Sequence, residues 1–327
     1  MKVLITGGAG YIGSHTAKAI ANAGHQVIIF DNLSNGHEKL INNIHIVKGD
    51  IKNKRELEQV FTATDFDAVV HLAAKIDVKE SQTDPGIYYE NNVFGTINLL
   101  ETMRSHEVKT IVYSSTAAVY GNTTSPIKET TPLNPVSTYG KTNAMIEEIL
   151  HDYHKAYQFS VVTFRYFNAA GASTDGQLGE LHKPETHLIP LMIEKITTDQ
   201  SFTIFGADYE TPDKTPVRDF VHVMDIAQAH VLGLEHAHFE KPYEVFNIGS
   251  GTGYSVKQII AAVEKITDKK LKVEQGPRRD GDASILTADI QKIQKMLGWK
   301  SEYSELDTIL QTALHWYKKN TKQAHSN

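Results

Sequence analysis

Cysteine is missing from this chain of 327 residues, and its absence excludes disulfides, thiolate metal sites and cysteine nucleophiles. A surplus of basic charge is also missing: the formal net charge is −6, so no global positive field attracts nucleic acid. No apolar run approaches the roughly 18 residues that a membrane-spanning helix requires. The first residues lead straight into a glycine-rich loop, which indicates a first strand and not a signal peptide. We therefore expect a cytoplasmic enzyme that binds neither nucleic acid nor a membrane.

The composition that is present is that of an ordinary globular protein, with 40% hydrophobic and 22% charged residues. Short apolar runs alternate with helical patterns through the first half, which is typical of a parallel sheet covered by helices on both faces. The predicted strands cover residues 2–6, 25–30, 45–47, 68–72, 110–114 and 160–165, and the long predicted helices cover residues 11–23, 88–106 and 138–157. The predicted fold class is α/β, a Rossmann-like doubly wound parallel sheet with a smaller α/β substrate-binding domain.

The loop between the first predicted strand and helix carries Gly7, Gly10 and Gly13 at the spacing G-x-x-G-x-x-G. Glycines permit a tight turn there and let the backbone approach a pyrophosphate at the positive end of the helix. The second strand ends at Asp31, whose carboxylate would accept hydrogen bonds from a ribose diol and repel a 2′-phosphate. This order of strand, loop, helix, strand and acid predicts NAD as cofactor rather than NADP.

The regular alternation of strand and helix patterns changes after about residue 168, where loops rich in Gly, Pro, Thr and Asp appear at 171–186 and 206–217. Two later apolar runs, at 221–225 and 244–248, look like strands that return to the first domain. We therefore predict an NAD-binding domain over 1–167, joined by 221–248, and a substrate domain over 168–327 that is interleaved with it.

A tyrosine at the start of a predicted helix, Tyr139, follows a predicted strand end that carries Thr116. Together with the glycine loop, these residues resemble the extended short-chain dehydrogenase/reductases. In that family the residue at the place of Thr116 polarises a reacting hydroxyl, and the tyrosine takes its proton as hydride leaves for the nicotinamide. A lysine stands four residues after that tyrosine, on the same helix face, but this chain has Asn143 there. Lys141 cannot replace it, since two residues along a helix correspond to roughly 200° of rotation.

The missing lysine has a definite expected cost. A cation beside a phenol lowers its pKa by about 1–3, which corresponds to roughly 1.4–4 kcal/mol of phenolate stabilisation. Asn143 could still hydrogen-bond the nicotinamide ribose, and the positive ring of oxidised NAD would still assist Tyr139. We therefore predict a folded protein that holds NAD and turns over more slowly than enzymes with the lysine.

The same resemblance assigns further cofactor contacts, two of which have alternative interpretations: Asp50 as a turn residue and Asn91 as a helix cap. The cofactor-binding residues implied are Gly7, Gly10, Tyr11, Ile12, Gly13, Asp31, Asn32, Asp50, Ile51, Leu72, Ala73, Ala74, Asn91, Thr116, Tyr139, Asn143 and Phe167. The catalytic residues implied are Tyr139, Thr116 and Asn143.

Motifs in the second half are similar to those of the UDP-glucose 4-epimerase family, at residues 165–168, 185–190, 217–225, 278–282 and 297–299. This resemblance implies reversible interconversion of UDP-glucose and UDP-galactose through NAD-dependent oxidation at sugar C4. It fits the chemistry of a diphosphate, which guanidinium groups grip in a fixed fork. The substrate-binding residues implied are Asn168, His187, Leu188, Ile204, Phe205, Arg218, Arg279 and Asp282. Each arginine could instead form a structural ion pair, and Phe205 could be a core residue.

Other functions remain open at this point. An epimerase of UDP-pentoses or UDP-N-acetylhexosamines fits most of the same motifs, and the resemblance makes Leu286 the residue that governs N-acetyl tolerance. A non-catalytic NAD or nucleotide-sugar binding protein would account for Asn143. The family's dehydratases carry an acidic pair where this chain has Ala117 and Ala118, which argues against elimination.

Two expectations concern assembly and metals. The helices predicted at 88–106 and 138–157 are those that the family often pairs into a homodimer. No metal is expected: His151 and His154 are three residues apart on a predicted helix, without a third ligand at convincing spacing.

Overall fold

The computed structural model describes residues 1–41, 43–182, 184–240, 242–278 and 283–324. Within those ranges the strands are β1 (Lys2–Thr6), β2 (Gln26–Asp31), β3 (His45–Lys48), β4 (Ala68–His71), β5 (Thr110–Thr116), β6 (Ser160–Tyr166), β7 (Asn168–Ala170), β8 (Ser201–Phe205), β9 (Val217–His222), β10 (Tyr243–Ile248), β11 (Gly253–Ser255), β12 (Lys272–Gly276) and β13 (Ile285–Leu286). The α-helices are α1 (Tyr11–Asn22), α2 (Lys54–Ala63), α3 (Val78–Thr83), α4 (Pro85–Tyr88), α5 (Gly95–Ser105), α6 (Thr138–Tyr157), α7 (Leu188–Thr197), α8 (Val223–Glu240), α9 (Val256–Thr267), α10 (Gln291–Leu297) and α11 (Leu306–Ala324). None of the helices in these ranges is both long and apolar enough to cross a membrane.

The large sheet, as far as the described residues show it, has seven parallel strands in the order β10-β6-β5-β4-β1-β2-β3. The chain builds outward from β1 to β3 and then returns to place β4 on the other side of β1. Sheets of this kind bind ligands beyond the carboxyl ends of their strands, where the winding reverses. The predicted fold class, a Rossmann-like doubly wound sheet, is confirmed.

Both faces of the large sheet are covered, which is why its strands are apolar along their whole length. On β1, Val3 and Ile5 face the core beneath α1 and α8, while Leu4 faces the core beneath α2, α5 and α6. All three side chains are fully buried. This alternation fixes which residues at each strand end point into which side of the crevice above.

The second half of the chain builds a smaller region around two further sheets. Strand β9 pairs with β7, β11 and β13, and β8 pairs with β12, with α7, α9 and α11 around a shared apolar core. Between β9 and β11 the chain returns to the large sheet through α8 and β10, as the run at 244–248 predicted. The run at 221–225 behaves differently: Val221 and His222 end β9 of the small sheet, and α8 begins at Val223. The division into two domains at residue 167 stays a prediction.

The helix predicted over 88–106 is interrupted. It consists of α4, a π-helical turn over Tyr89–Phe94, and α5. A π-turn inserts an extra residue into the helical ladder and is common at functional sites. Here it turns Asn92, which is buried, toward the loop after β4. The predicted helix over 138–157 is present with the same bounds, capped by the Ser137 side chain, which accepts from the Gly140 N–H.

Candidate active site

The glycine turn is shaped by positions that leave no room for a side chain. Gly7 has a left-handed φ of 73°, and a Cβ there would lie 2.6 Å from the Ala73 nitrogen. A Cβ on Gly13 would lie 2.1 Å from the Gly7 oxygen, so the first turn of α1 packs directly on the loop. The N-cap residue of α1 is Gly10, which has no side chain to cap the helix. The first N–H groups of α1 are therefore left for an anion. A dinucleotide's pyrophosphate fits this cradle.

Acidic and amide groups meet where β2 and β3 end. The Asp31 carboxylate accepts hydrogen bonds from the Ala9 N–H (3.0 Å) and the Leu33 N–H (2.8 Å), which holds it beside the glycine turn. Burial raises the pKa of Asp31, and these two backbone hydrogen bonds oppose the rise. Asn32 donates to the Asp50 carboxylate at 3.1 Å, so the two strand ends form one rim of the crevice. Ile51, also assigned to the cofactor, has its side chain buried in the core, so only its backbone is available at this rim.

The loop after β4 carries Leu72, Ala73 and Ala74 and lies directly against the glycine turn, with the Leu72 N–H donating to the Thr6 oxygen. Asn92 clamps this loop with two hydrogen bonds, accepting from the Lys75 N–H (2.8 Å) and donating to the Lys75 oxygen (3.0 Å). Asn91, the asparagine that the sequence singled out, donates to the Asn92 side chain. Asn92 is therefore a positioning residue that the sequence did not identify.

Below that loop, the tautomer of His71 follows from its neighbours. Thr96 Oγ1 donates to the Asn92 oxygen, so it must accept from His71 Nε2, and His71 Nδ1 in turn accepts from Thr6 Oγ1. Burial lowers the pKa of His71 to about 4, so the ring is neutral at physiological pH. It lies 5.7 Å, centroid to centroid, from the ring of Tyr113 on the adjacent strand β5.

Thr116 and Tyr139 are brought together at the carboxyl end of the large sheet. Thr116 ends β5, and Tyr139 lies in the first turn of α6. Burial raises the pKa of the Tyr139 phenol, and a hydrogen bond with Thr116 lowers it in part. Lys141, which the helical periodicity placed on another face, is exposed. The pair has the geometry of a proton-transfer site, but the phenol is protonated at rest.

Asn143 lies one turn further along α6 and is 2% exposed. Its Nδ2 donates to the Tyr139 backbone oxygen at 2.8 Å, and its Oδ1 accepts from the Tyr113 hydroxyl at 2.7 Å. Burial raises the pKa of Tyr113 well above its ordinary value, so this phenol keeps its proton. The side chain at position 143 is thus held by the protein through its amide oxygen and through one N–H of its amide nitrogen.

A buried ion pair braces the next turn of α6. Glu147 binds Arg165 of β6 through hydrogen bonds to Arg165 Nε and Nη2, and it also accepts from Ser115 Oγ at 2.5 Å. Arg165 Nη1 reaches the Tyr120 hydroxyl at 2.8 Å. Every partner is satisfied, as a buried ion pair requires. The network ties α6 to the ends of β5 and β6 and so fixes the position of Tyr139.

The predicted substrate residues come from separated segments of the second half. Asn168 donates to the Asp219 backbone oxygen at 2.8 Å, and Arg218 on β9 lies in register with Leu286 of β13. Phe167 is buried with Val119 in the cluster that Leu286 also contacts. Leu286 therefore links β9, which carries Arg218, to the apolar cluster that contains Phe167 and Val119.

Ile204 and Phe205 differ in environment although they are adjacent on β8. Ile204 is buried in the core of the second region, whereas 37% of Phe205 is exposed. An exposed aromatic ring at a strand end fits a wall for a flat base, and Ile204 contributes packing from below. Arg279 and Asp282 lie outside the described residues.

His187 precedes α7 and belongs to a compact cluster with Glu180, His182 and Glu185. The Glu180 carboxylate contacts the Nδ1 atoms of both histidines. Burial raises the pKa of Glu180, but the hydrogen bonds from His182 and His187 outweigh it and set the pKa at about 2. Burial lowers the pKa of His187, but the hydrogen bond and charge of Glu180 raise it overall. The two histidines and two carboxylates thus lie close together, and Leu188 begins the helix beside them.

Hydrogen bonds fix the loop that carries this cluster. The Trp316 ring donates to the Glu180 oxygen, and His37 contacts the Leu181 oxygen, both at 2.9 Å. Tyr11, at the start of α1, donates to the Gly171 oxygen at 2.6 Å, and burial raises its pKa. The neighbouring Ile12 packs against the core beneath α1. The cluster is thereby held on the second-region side of the glycine turn.

The two histidines considered as metal ligands are both occupied elsewhere. The His151 ring packs 4.9 Å from Tyr243, and His154 Nδ1 bonds the Phe159 oxygen. The cluster around Glu180 offers two nitrogens and two oxygens, and within it the Glu180 carboxylate contacts the Nδ1 atoms of both histidines.

Comparison with known proteins assigns the class. The model of the NAD dependent epimerase/dehydratase family matches residues 3–249, so the chain belongs to that family. It is 44% identical over 322 residues to the UDP-glucose 4-epimerase of Halalkalibacterium halodurans, covering 98% of this chain and 96% of that relative.

Solved structures give the same picture. The UDP-glucose 4-epimerase from Brucella ovis, in complex with NAD, is 42% identical with a TM-score of 0.93 and covers 96% of this chain and 98% of its own. The enzyme from Bifidobacterium longum, in complex with NAD⁺ and UDP, is 37% identical with a TM-score of 0.93 and covers 98% and 99%. The resemblance to UDP-glucose 4-epimerases predicted from the sequence is confirmed.

Proposed function

We propose that this protein interconverts UDP-glucose and UDP-galactose, using NAD that it holds throughout the cycle. The observation that carries the proposal is the Thr116–Tyr139 pair, which lies at the same sheet edge as the glycine turn. It is supported by the family membership and by the NAD and UDP bound to similar proteins. NAD supplies a hydride acceptor that is oxidised and reduced in turn, so the reaction has no net redox change.

The residues that would hold NAD are the glycine turn, Asp31 for the adenosine ribose and the loop clamped by Asn92. The cradle at Gly7 and Gly13 fits a pyrophosphate because any Cβ there would collide with backbone. Thr116 would polarise the sugar 4-hydroxyl, the Tyr139 phenolate would take its proton, and the C4 hydride would pass to the bound NAD, which together would give a 4-keto sugar. After rotation of the sugar, Tyr139 would return the proton and the stored hydride would return to C4 from the other face.

Rotation without loss of the keto sugar requires that the UDP moiety stay anchored. Arg218, Arg279 and His187 would supply positive charge to the diphosphate, and Asp282 would accept hydrogen bonds from the ribose. Phe205 and Asn168 would contact the nucleotide. These roles are those the family resemblance implies.

Asn143 sets the rate in this proposal. With an amide where the family has an ammonium, the Tyr139 phenolate lacks its nearest cation and turnover is reduced. Asn143→Lys should raise kcat about tenfold or more, because each 1.4 kcal/mol of barrier is a factor of ten. A protein that binds NAD but shows no turnover in either form would be a binding protein instead.

We also propose a homodimer built from α5 and α6. Phe94, Ile97 and Met145, which these helices and the π-turn carry, are exposed although apolar, with Phe94 50% accessible. Large apolar side chains on adjacent helices are typical of a subunit interface. Light scattering with Phe94→Glu tests this, since a charge there should yield monomers. The cytoplasmic location stays a prediction.

The experiment that tests the function is a direct conversion assay. Purified protein is incubated with UDP-galactose, and UDP-glucose is measured by coupled oxidation, with denaturation of a parallel sample to release and identify NAD. We expect UDP-glucose and bound NAD. UDP-N-acetylgalactosamine and UDP-arabinose serve as alternative substrates, and conversion of these alone would replace the proposed specificity.

A further inference from the structure

The contact between Tyr113 and Asn143 is fixed in one direction. The Tyr139 backbone oxygen has no proton, so the amide nitrogen of Asn143 must face it, at 2.8 Å. The amide oxygen therefore faces Tyr113, and the Tyr113 phenol must be the donor at 2.7 Å. Neither group can reverse without leaving a buried polar atom unsatisfied. Both side chains are nearly inaccessible, at 3% and 2%.

Tyr113 is itself held in place from the opposite side. Its ring packs on His71, which is pinned between Thr6 and Thr96. Thr96 in turn donates to the Asn92 backbone oxygen, at the π-turn that clamps the loop after β4. A continuous set of contacts therefore runs from the proposed cofactor loop through Tyr113 to the first turn of α6.

We propose that Tyr113 is a positioning residue, which locks the Asn143 amide so that the two side chains form one neutral unit at the place of the family's lysine. The inference rests on the proposed function. Asn143 has two amide N–H groups; one is directed to Tyr139, and the orientation that Tyr113 enforces leaves the second for the nicotinamide ribose. Tyr113 and residue 143 must therefore be exchanged together for a lysine to be used fully.

The groups around the Tyr139 phenol limit what such a unit can do. Within the described residues, Thr116 hydrogen-bonds the phenol, and the phenols of Tyr113 and Tyr166 lie near enough to interact with its charge. Glu147 also acts on Tyr113 but is neutralised by Arg165. A lysine at position 143 would place a cation four residues after Tyr139, on the same face of the helix. Beside Tyr113, however, its ammonium would bind the Tyr113 oxygen, and the Tyr113 O–H would lose the acceptor that Asn143 provides.

The test is a four-protein cycle: wild type, Tyr113→Phe, Asn143→Lys and the double variant, each measured for kcat and KM across pH. Tyr113→Phe should lower kcat about fivefold to tenfold and move its alkaline limb to higher pH, with KM for UDP-galactose unchanged. The double variant should exceed Asn143→Lys by about fivefold or more, although Tyr113→Phe alone is harmful. Tyr243→Phe, which removes a half-buried hydroxyl bonded to the Glu147 backbone oxygen, is the matched control.

Two results would overturn the inference. One is an equal gain from Asn143→Lys in both backgrounds, and the other is a Tyr113→Phe enzyme with the wild-type pH profile. A separate cycle, Tyr113→Phe with Asn143→Ala, follows thermal midpoints and needs no activity. There each single variant should lose about 2 °C or more, and the double variant less than the sum. If the changes in thermal midpoint of the two single variants add up to that of the double variant, the Tyr113–Asn143 unit is refuted. If they do not add up but the wild type is inactive, only the proposed function is refuted.

Discussion

The two halves of this molecule build their proposed binding sites from different materials. On the NAD side the cradle is backbone: Gly7 and Gly13 approach other main-chain atoms so closely that no side chain fits. On the UDP side the proposed groups are side chains, those of Asn168, His187 and Arg218, which separate loops and short strands carry. A cradle made of backbone loses its shape as a whole, whereas side-chain contacts contribute separately. We therefore expect a substitution in the cofactor half to abolish NAD binding, and a substitution in the substrate half to weaken UDP binding only in part.

The largest effect should come from Gly13→Ala. The new Cβ would lie 2.1 Å from the Gly7 oxygen, so the glycine turn and α1 must separate, at a cost of about 1–3 kcal/mol or more. We expect protein purified without NAD and without activity. Gly86→Ala is the control, since its nearest neighbour would be the Asp84 carboxylate at 3.8 Å. A Gly13→Ala protein that retains NAD would show that the cradle is less rigid than its geometry indicates.

The second effect should come from Tyr139→Phe, which removes the proton-transfer group and leaves the cradle intact. General acid–base groups contribute about 10²–10⁴ in rate, so kcat should fall by about 10³ while NAD remains bound. Isothermal titration with UDP-glucose and a coupled assay separate binding from turnover. Near-normal turnover in this variant would remove Tyr139 from the mechanism.

Those two residues belong to the part of the site that sequence patterns predict well. Glycine spacing, an acid after the second strand and a tyrosine at a helix start are local patterns, and each reflects a backbone requirement that a few neighbouring residues express. The strands at 2–6 and 68–72 are equally predictable from the sequence, because strands buried on both faces of a sheet are apolar throughout.

The other parts of the fold and of the candidate site depend on contacts between residues far apart in the sequence, which no local pattern contains. The clamp formed by Asn92 requires a π-turn, and the Tyr113–Asn143 bond joins a strand to a helix thirty positions further along the chain. Val221 and His222 lie in an apolar run, which predicts a strand that returns to the first domain. Their actual partner is β7 of the small sheet. The hydroxyl at position 113, directly after the apolar Ile111 and Val112, was the available sequence signal of the buried bond.

The third effect concerns the substrate half. Arg218→Ala should raise KM for UDP-galactose about 10- to 100-fold with NAD still bound, since hydrogen bonds to charged groups contribute about 1.5–3 kcal/mol. Arg55→Ala, on the surface of α2, is the control. Loss of NAD from the Arg218 variant would mean that the two halves do not fail independently.

The smallest effect should be a pH dependence set by the loop around His187. Glu180 raises the pKa of His187 above its usual value of about 6.5, with Glu185 and Asp77 contributing, although burial acts the other way. The imidazolium charge therefore persists to higher pH than that of an ordinary histidine and is lost as pH rises through the raised pKa. UDP affinity, measured by calorimetry, should weaken a few-fold over that rise.

Glu180→Gln sharpens this last expectation. Without the carboxylate the pKa of His187 falls, so UDP affinity should begin to weaken at lower pH than in the wild type. His15→Gln is a histidine control on α1, since burial lowers the pKa of His15 to about 4 and its ring carries no charge near neutral pH. Identical pH profiles for the wild type and Glu180→Gln would exclude His187 as a charged substrate contact.

The central claim, that hydride from sugar C4 is stored on bound NAD and returned to the same carbon, is tested most directly with isotope. UDP-galactose carrying deuterium at C4 is converted in ordinary water, and the product is examined by mass spectrometry and NMR. The account predicts UDP-glucose that retains deuterium at C4. Deuterium replaced by solvent hydrogen, or a product labelled elsewhere on the sugar, would contradict it.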